Sequence, residues 1–329
     1  MGDQVRVIQY GLGPIGSAVA RHVTERSGLE LVGGIDVAPE KIGQDVGQAI
    51  GLGRALGFPV AGRLGDVPTG ADVVLHTTSS YFDLFKGQIL EILEAGYDIV
   101  STAEELSFPW LSHAADAAEI DAAAKRAGKT VLGTGVNPGF LMDSLPVFLT
   151  AICQRVDRID VTRAMNASVR RGPFQAKIGS GMSVEAFNHK MAQGRMGHVG
   201  LPESMAMLFE ALGRRLARYE ATVQPVIAER PVRTDHFDVE PGRVRGLKQV
   251  ARGYTEDGEF ATLTFYAALD AEEDGDTVRI TGKPDLEVKL KGTNGDIATV
   301  AIAVNAIRTV VGAEPGLVTM LDVPLVRCW

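Results

Sequence analysis

The sequence predicts an α/β fold, in which a doubly wound parallel sheet is followed by an α+β domain with an open mixed sheet. Three observations support this fold class. Strand patterns alternate with helix patterns over about the first 137 residues, as in a parallel sheet with crossover helices. A cluster of glycines separates the first strand from the first helix. Strand patterns dominate residues 219–290, with acidic or glycine turns between them.

Composition and charge narrow the class of protein. The 329-residue chain is 45% hydrophobic with a net charge of -8, which argues against a nucleic-acid or anionic-membrane partner. Its two cysteines, Cys153 and Cys328, are typical of a reducing compartment. A strand pattern from residue 5 leaves no room for a signal peptide, and no apolar run reaches the ~18 residues of a membrane helix. We therefore expect a cytoplasmic protein without a nucleic-acid or membrane partner.

The first strand, "VRVIQY", runs directly into the motif "GLGPIG" and then into a helix pattern. In this G-x-G-x-x-G spacing Gly11 permits a tight turn, Gly13 admits a pyrophosphate, and Gly16 lets the helix pack closely on the sheet. Pro14 suits the first helical position, and the helix N-terminus offers N–H groups to phosphates. The motif predicts a dinucleotide-binding Rossmann domain. The predicted cofactor contacts here are Gly11, Gly13, Pro14, Ile15 and Gly16.

The second strand, "LELVGGID", ends in Asp36, 20 positions after Gly16. An acidic residue at this point accepts hydrogen bonds from the adenosine ribose hydroxyls and repels a 2′-phosphate. The spacing therefore predicts NAD(H) as the cofactor. Lys41 is close enough in sequence to weaken the exclusion of NADP(H), which we keep as the second cofactor.

Strands and helices continue to alternate up to residue 136. Strands are predicted within 71–80, 97–102 and 129–136, and helices over 85–96 and 112–127. Polar segments follow these strands, at 76–80, 101–105 and 135–138. Because ligands of open parallel sheets lie outside the carboxyl ends of the strands, we expect the three segments to rim one crevice. The predicted cofactor contacts in this crevice are Thr77, Thr78 and Ser79.

The second half of the chain changes character after "NPGFLMD". Its predicted elements are a helix over about 140–153, an alternating strand over 157–168, a glycine-rich loop over 170–183, a helix beginning near Glu185, a helix over 201–216, strands over about 219–290 and a long helix over 295–311. We expect the long helix and the tail to return to the first domain. The predicted domains are therefore 1–137 with 296–329, which bind the dinucleotide, and 138–295, which binds substrate and has an open sheet that suits pairing with a second subunit.

The segment "STAEELSFPW" places two carboxylates, Glu104 and Glu105, at the end of a strand in the predicted crevice. Partial burial and the neighbouring negative charge raise the pKa of such a carboxylate toward neutrality, which suits general acid–base catalysis. A carboxylate also suits a developing cation, such as an iminium, better than an oxyanion. The alternatives are that the pair marks the start of a helix, or that Glu105 caps this helix or pairs with an arginine.

The histidines offer no stronger candidate. His76 precedes a polar strand end, and it is equally consistent with a cofactor-side role and with a buried, hydrogen-bonded one. His22 and His113 are expected at helix or cap positions away from the crevice. His189 and His198 lie in a polar stretch without a carboxylate or cysteine at ligand spacing, so we predict no metal site.

The chain resembles the dihydrodipicolinate-reductase-like superfamily, and within it the branch of native amine dehydrogenases and 2,4-diaminopentanoate dehydrogenases. The resemblance covers nearly the whole chain and is carried by the segments "RVIQYGLGPIG", "STAEELSFPW", "GTGVNPGF", "KIGSGMSVEAF" and "PGLVTMLDVPL". It implies NAD(P)H-dependent reductive amination of a carbonyl with free ammonia, the reverse oxidative deamination, and a homodimer. It places the catalytic glutamate at Glu104, with Glu105 as the second choice.

The same resemblance implies a substrate pocket. Asn137 matches an asparagine beside the nicotinamide, and Arg163 matches an arginine that suits a distal carboxylate in the diamino-acid enzymes. The other positions implied to line the pocket are Phe140, Leu141, Met165, Ala176 and Ile178. The chain lacks the paired histidines of true dihydrodipicolinate reductases, and it has "EEL" where the sugar-dehydrogenase branch has Glu-Lys-Pro.

The sequence thus predicts an NAD(P)H-dependent amine dehydrogenase for small aliphatic ketones and aldehydes, because the implied pocket is mostly apolar. Arg163 leaves open a 2,4-diaminopentanoate dehydrogenase in the strict sense. A reductase of a cyclic imine or another C=N bond, of dihydrodipicolinate-reductase type, is the second alternative. A nucleotide sensor without catalysis is the third, and the acidic pair in the crevice argues against it.

Overall fold

The computed structural model describes residues 4–68, 70–193 and 196–329. The chain divides into two compact units. The first unit joins Met1–Phe140 to Asn294–Trp329, and the second comprises Leu141–Thr293. The long C-terminal helix therefore belongs to the same unit as the glycine motif.

The strands are distributed over both units. In chain order they are β1 (Val5–Tyr10), β2 (Leu29–Ile35), β3 (Val73–His76), β4 (Asp98–Ser101), β5 (Thr130–Gly133), β6 (Arg155–Asn166), β7 (Arg218–Ile227), β8 (Val232–Arg233), β9 (Asp238–Val239), β10 (Val244–Thr255), β11 (Gly258–Ala268), β12 (Gly275–Lys283), β13 (Leu286–Leu290) and β14 (Gly316–Val318). The short pair β8 and β9 forms a separate antiparallel ribbon in the second unit.

The helices cover both sheets and mark the strand ends. They are α1 (Pro14–Glu25), α2 (Val46–Ala49), α3 (Phe82–Glu94), α4 (Ala114–Ala127), α5 (Ser144–Leu149), α6 (Gly172–Lys177), α7 (Val184–Ala192), α8 (Leu201–Ala211) and α9 (Gly295–Val310). A 3-10 turn, Glu104–Leu106, follows β4. Within the residues that the structure describes, no helix has both the length and the apolarity needed to cross a membrane.

The sheet of the first unit is parallel and doubly wound. Its strand order across the described residues is β2-β1-β3-β4-β5-β14, so the direction of winding reverses between β1 and β3. The last residues of these two strands, Tyr10 and His76, are register partners. In a sheet of this kind ligands bind outside the carboxyl ends of the strands where the winding reverses. The segments that follow Tyr10 and His76 are therefore the place to look for a site.

Apolar side chains cover both faces of this sheet. Successive residues of a strand point to opposite faces, and Val7 and Ile8 of β1 accordingly belong to two separate buried clusters. The Val7 cluster contains α1 residues such as Val19 and α9 residues such as Val304. The Ile8 cluster contains residues of α3 and α4, for example Phe85. Helices on both faces keep the sheet rigid and leave its carboxyl edge to carry the polar segments.

The second unit is built on a mixed sheet in the order β13-β12-β6-β11-β10-β7 within the described part of the chain. β6 and β11 are parallel, whereas the other neighbouring strands are antiparallel. Val161 and Arg163 are buried, whereas Thr162 between them and its register partner Thr264 are half-buried on the other face. The predicted fold class, a parallel Rossmann sheet followed by an open mixed sheet, is confirmed.

Several predicted element bounds are wrong. The helix predicted over 140–153 is shorter, because Asp143 caps α5 by accepting a hydrogen bond from the Ser144 N–H at 2.5 Å. The glycine-rich loop over 170–183 contains α6, which opens on Gly172 and a proline. The C-terminal tail contains β14, which pairs with β5. These short elements depend on capping and on distant neighbours, and neither leaves a periodic pattern in the sequence.

Candidate active site

The glycine loop after β1 is shaped to admit a ligand. Gly11 has a φ of +93°, and a Cβ there would lie 2.7 Å from the Thr77 carbonyl oxygen. At Gly16 a Cβ would lie 1.9 Å from the Gly11 carbonyl oxygen, so α1 packs against the loop only because this side chain is absent. A Cβ at Gly13 would meet no atom within 4 Å. Gly13 also provides no side-chain cap for α1, which begins at Pro14. The open approach and the helix N-terminus fit a dinucleotide pyrophosphate.

Asp36 and Lys41 lie at the end of β2, beside the glycine loop. Asp36 Oδ2 accepts hydrogen bonds from the Leu12 N–H at 2.8 Å and from Lys41 Nζ at 3.0 Å, and its Oδ1 accepts one from the Ala38 N–H at 2.9 Å. Burial alone would raise the pKa of Asp36, but these hydrogen bonds and the lysine charge outweigh it and lower the pKa. The predicted ribose-binding carboxylate is therefore ionised and paired with an ammonium group.

The hydroxyl groups of the predicted cofactor contacts after β3 form hydrogen bonds to other groups of the protein. Thr77 Oγ1 donates to the Gly11 carbonyl at 3.0 Å and accepts from Gln9 Nε2 at 2.8 Å, which ties the two strand ends together. Thr78 Oγ1 donates to Gln88 Oε1 at 2.6 Å. Ser79 Oγ accepts from the Tyr81 N–H at 3.2 Å. These side chains hold the shape of the crevice, and their contact with the cofactor stays a prediction. Ile15, also a predicted contact, packs partly against the apolar core.

His76 is fully buried in a hydrogen-bond network that reaches the loop after β4. Its Nδ1 lies 2.9 Å from Ser101 Oγ, and Ser101 Oγ accepts from the Ala103 N–H at 3.1 Å. Its Nε2 lies 2.8 Å from Gln88 Oε1, which is an acceptor only. Nε2 therefore carries the proton and Nδ1 accepts from Ser101. Burial lowers the pKa of His76 to about 4, so the ring is neutral near neutral pH.

The two glutamates of the 3-10 turn occupy different environments. Glu104 is half-buried, and its carbonyl oxygen accepts hydrogen bonds from the Ser107 N–H at 3.1 Å and from Ser107 Oγ at 2.7 Å. The carboxylate of Glu105 accepts a 2.5 Å hydrogen bond from the N–H of Phe82, the first residue of α3. Glu105 Oε2 also lies 3.5 Å from His113 Nε2, and the His113 ring stacks on Phe82 at 4.5 Å. Glu105 therefore joins the turn to α3 and to the start of α4.

The loop after β5 brings Asn137 to the same sheet edge. Asn137 is buried and precedes Pro138 through a cis peptide bond. The Thr134 N–H donates to the Ser101 carbonyl at 2.8 Å, which ties this loop to the end of β4. The loop folds tightly on itself, since a Cβ at Gly139 would lie 2.5 Å from the Gly135 nitrogen. The first unit thus assembles the glycine loop and all three predicted polar segments at neighbouring strand ends.

The second unit holds most of the residues implied to line a substrate pocket. Leu141, Met165 and Ile178 are buried, whereas Ala176 on α6 is exposed. Phe140, the last residue of the first unit before the boundary, is 37% exposed. The pocket role of these five residues stays a prediction.

Arg163 is almost fully buried and faces a carboxylate from the neighbouring strand. Arg163 and Asp276 are register partners on β6 and β12, with Nη1 and Oδ1 3.7 Å apart. Burial raises the pKa of Asp276, and the charge of Arg163 and a hydrogen bond from Thr293 oppose this rise. At 3.7 Å the pair is too long for a hydrogen bond, and within the described residues Arg163 Nη1 has no other partner.

Comparison with known proteins identifies the family. Residues 140–329 match the 2,4-diaminopentanoate dehydrogenase C-terminal domain, and residues 5–101 match the dihydrodipicolinate reductase N-terminus. The chain is 33% identical over 99% of its length to the 2,4-diaminopentanoate dehydrogenase of Acetoanaerobium sticklandii, of which it covers 95%. The chain belongs to the 2,4-diaminopentanoate dehydrogenase family.

Two amine dehydrogenases are also similar to this member of the family. The amine dehydrogenase of Streptomyces virginiae is 23% identical, and the match covers 98% of this chain and 96% of the relative. The structure of an amine dehydrogenase from Mycobacterium smegmatis superposes with a TM-score of 0.87 at 26% identity, covering 100% of this chain and 98% of that one. The predicted family and the predicted class of enzyme, an NAD(P)-dependent dehydrogenase acting on amines, are confirmed.

Two contacts at the carboxyl edge of the first sheet, those of His113 and Gln88, were not predicted from the sequence. His113 lies at the N-cap position of α4, which agrees with its predicted helix or cap position, but its ring is beside Glu105 rather than away from the crevice. Gln88, in the middle of α3, is not among the predicted site residues, although it hydrogen-bonds His76. A polar residue on an otherwise apolar helix face is a sequence signal that points to Gln88. For His113 the sequence carries no such signal, because its contact depends on how α3 and α4 pack. Among the described residues no cluster of three or more histidines, cysteines and carboxylates is placed to hold a metal ion.

Proposed function

We propose that the protein catalyses the NAD(P)H-dependent reductive amination of small aliphatic ketones and aldehydes with ammonia, and the reverse oxidative deamination of primary amines. One observation carries the proposal. In a chain of this family, the loop at the carboxyl edge of the dinucleotide-binding sheet carries two adjacent carboxylates, and one of them, Glu105, is engaged in holding the loop. Glu104 lies beside it in the same turn, at the position where the family resemblance places the catalytic glutamate, and this supports Glu104 as the carboxylate that faces substrate.

The surroundings of Glu104 support a role in chemistry. Two hydrogen bonds hold the turn that carries Glu104. Ser101 Oγ accepts one from the N–H of Ala103, which precedes Glu104, and the carboxylate of Glu105, which follows it, accepts one from the Phe82 N–H. A catalytic group gains most when the protein holds it in place before the substrate arrives. We propose that Glu104 is the catalytic residue and that Glu105 positions it.

The proposed reaction needs a group that moves a proton and stabilises a cation. Glu104 takes a proton from ammonium, so that the free ammonia attacks the carbonyl carbon. The protonated Glu104 then gives a proton to the hydroxyl group of the carbinolamine, which leaves as water. The ionised carboxylate stabilises the iminium that results. A nicotinamide cofactor, when bound, would supply the hydride that reduces this iminium to the amine.

The residues implied to line the pocket favour a small, uncharged substrate. Leu141, Met165 and Ile178 are apolar and buried. The charge of Arg163 is offset by Asp276 at 3.7 Å, so that a second carboxylate from a substrate is not needed to neutralise it. We therefore propose aliphatic ketones and aldehydes of a few carbons as the preferred carbonyl compounds.

A second candidate function is that of a 2,4-diaminopentanoate dehydrogenase. The name of the 33% identical relative supports it, and so does the orphaned Nη1 of Arg163. A buried guanidinium nitrogen without a hydrogen bond is costly, and a substrate carboxylate would satisfy it. The preferred carbonyl compound distinguishes the two candidates.

The first experiment follows NADH and NADPH oxidation with a panel of carbonyl compounds, each with and without ammonium at mildly alkaline pH. The panel contains small aliphatic ketones and aldehydes and a 2-amino-4-oxo acid. Ammonia-dependent oxidation that is fastest with the uncharged compounds supports the proposal. A strong preference for the charged acid favours the second candidate. Oxidation without ammonia would contradict both and would favour a reductase of C=N or C=O bonds.

The role of Glu104 gives a direct prediction. Glu104→Gln keeps the size of the side chain but removes its basicity, so we expect kcat to fall by about 100-fold or more. The dissociation constant for NADH, measured by fluorescence titration, should stay close to that of the wild type. Near-normal turnover in this variant, with intact cofactor binding, would remove Glu104 from the mechanism.

We further propose that the protein is a cytoplasmic homodimer. Lys248, Thr264 and Tyr266 lie on the face of the mixed sheet opposite the buried Arg163 side, and they are half-buried or exposed. A second copy of this chain is the proposed occupant of that face, in line with the family resemblance. Light scattering should give about twice the chain mass of 35.0 kDa. Thr264→Arg should lower the measured mass to that of one chain. A wild-type protein with the mass of one chain would contradict the proposal.

A further inference from the structure

The ammonium group of Lys41 is held between the glycine loop and Asp36. Lys41 Nζ donates to the Leu12 carbonyl oxygen at 2.8 Å and to Asp36 Oδ2 at 3.0 Å. The exposed fraction of the Lys41 side chain is 27%, against 11% for Asp36. Of the two charged groups, the lysine is therefore the more accessible from solvent.

This arrangement changes the usual effect of an acidic residue after β2. A carboxylate there normally excludes a 2′-phosphate by charge repulsion. Here the charge of Asp36 is balanced by an ammonium group in hydrogen-bond contact, and both Asp36 oxygens already accept hydrogen bonds from the protein. The net charge of the pair is zero, so the repulsion that would exclude NADP(H) is cancelled.

The geometry also supplies an attractive group. An ammonium group has three N–H donors, and two of those of Lys41 are directed at Leu12 O and Asp36 Oδ2. Among the residues that the structure describes no acceptor is recorded for the third, which leaves it to an acceptor outside the protein. Since the residue after β2 contacts the ribose hydroxyls in folds of this type, Lys41, 3.0 Å from Asp36 Oδ2, would lie next to the 2′ position of a bound cofactor.

We infer that Lys41 is a specificity-determining residue that lets this enzyme use both NAD(H) and NADP(H). It cancels the repulsion from Asp36 and donates a charge-assisted hydrogen bond to the 2′-phosphate. The inference rests on the proposed dinucleotide site, but not on the proposed substrate or on the role of Glu104. Asp36 alone predicts a preference for NAD(H), whereas Asp36 together with Lys41 predicts that the chain binds both cofactors.

Binding of cofactor fragments tests the inference without turnover. Adenosine 5′-phosphate and adenosine 2′,5′-bisphosphate differ only in the 2′-phosphate, and isothermal titration gives the dissociation constant of each. For the wild type we expect the bisphosphate to bind at least as tightly as the monophosphate. In Lys41→Gln the bisphosphate should bind about 10- to 100-fold more weakly, the range of one hydrogen bond to an ionised group. The monophosphate should bind almost unchanged.

Two further variants complete the test. Lys41→Arg keeps the positive charge and should retain most of the bisphosphate affinity. Lys125→Gln removes a lysine of α4 that pairs with Asp121, and it should leave both affinities unchanged. NAD+ and NADP+ should repeat the pattern of the two fragments.

Three results would overturn the inference. The first is a wild type that binds the bisphosphate far more weakly than the monophosphate. The second is equal weakening of both ligands in Lys41→Gln, which would make the lysine only a brace between two loops. The third is a bisphosphate affinity that this substitution leaves unchanged. Retained fragment binding without any ammonia-dependent turnover would instead count against the proposed function alone.

Discussion

At the scale of single residues, the neighbouring glutamates show how one turn separates two roles. Successive side chains of a 3-10 turn point in different directions, so Glu104 and Glu105 have different surroundings. The Glu105 carboxylate accepts the bond from the Phe82 N–H and lies close to His113, and the Glu105 N–H donates to the Ser80 carbonyl at 3.3 Å. A negative charge at the N-terminus of α3 is also favoured by the helix dipole.

The positioning role of Glu105 predicts a difference between two substitutions. Glu105→Gln keeps an oxygen that accepts from the Phe82 N–H, and it should retain most of the wild-type kcat. Glu105→Ala removes the acceptor and leaves the turn loosely held, so kcat should fall on the order of 100-fold with little change in KM. Steady-state kinetics with the best carbonyl compound provide the measurement.

Two comparisons separate positioning from catalysis at Glu105. Glu94→Gln, at the exposed C-terminal end of the same helix α3, serves as the control and should behave like the wild type. If Glu105→Gln were as inactive as we expect of Glu104→Gln, while Glu104→Gln retained turnover, the two glutamates would have to exchange roles.

At the scale of elements, the parts of the fold that could be predicted are those with a local signature. The strand, glycine turn and helix around Gly11 and Gly16 follow one another within about 20 residues at a characteristic glycine spacing, and the structure confirms this unit. The same holds for the strand ends, because apolar runs stop where polar residues begin. β14 has only three residues and becomes a strand because β5 lies beside it. α6, with six residues, is too short to show a helical period.

The contacts within the candidate site were less predictable than its position. Sequence patterns placed Glu104, Glu105 and His76 at strand ends, which the structure bears out. They did not reveal that Glu105 binds the start of α3, since 23 positions separate it from Phe82 and no period connects them. They likewise gave no reason to expect a buried partner for Arg163, because the Asp276 contact arises from the register of two distant strands.

At the scale of the whole molecule, one buried histidine links stability to pH. His76 has a pKa of about 4 in the folded protein, lowered from 6.5 mainly by desolvation. At pH 7 the ring is neutral in the folded protein and mostly neutral in the unfolded chain, so it has little effect on stability there. Between pH 6.5 and 4 the unfolded chain binds a proton that the folded protein does not, and the free energy of unfolding therefore decreases as the pH falls.

We predict that this one group removes about 3 kcal/mol of stability between pH 7 and pH 4. Urea unfolding monitored by tryptophan fluorescence is the appropriate measurement, since both tryptophans, Trp110 and Trp329, lie in the first unit together with His76. His76→Gln removes the titrating group, and it should flatten the dependence of stability on pH over this range even if it is less stable at pH 7. His22→Gln, a half-exposed control on α1, should keep the wild-type slope. An unchanged slope in His76→Gln would mean that carboxylates with lowered pKa values, such as Asp36, cause the acid sensitivity instead.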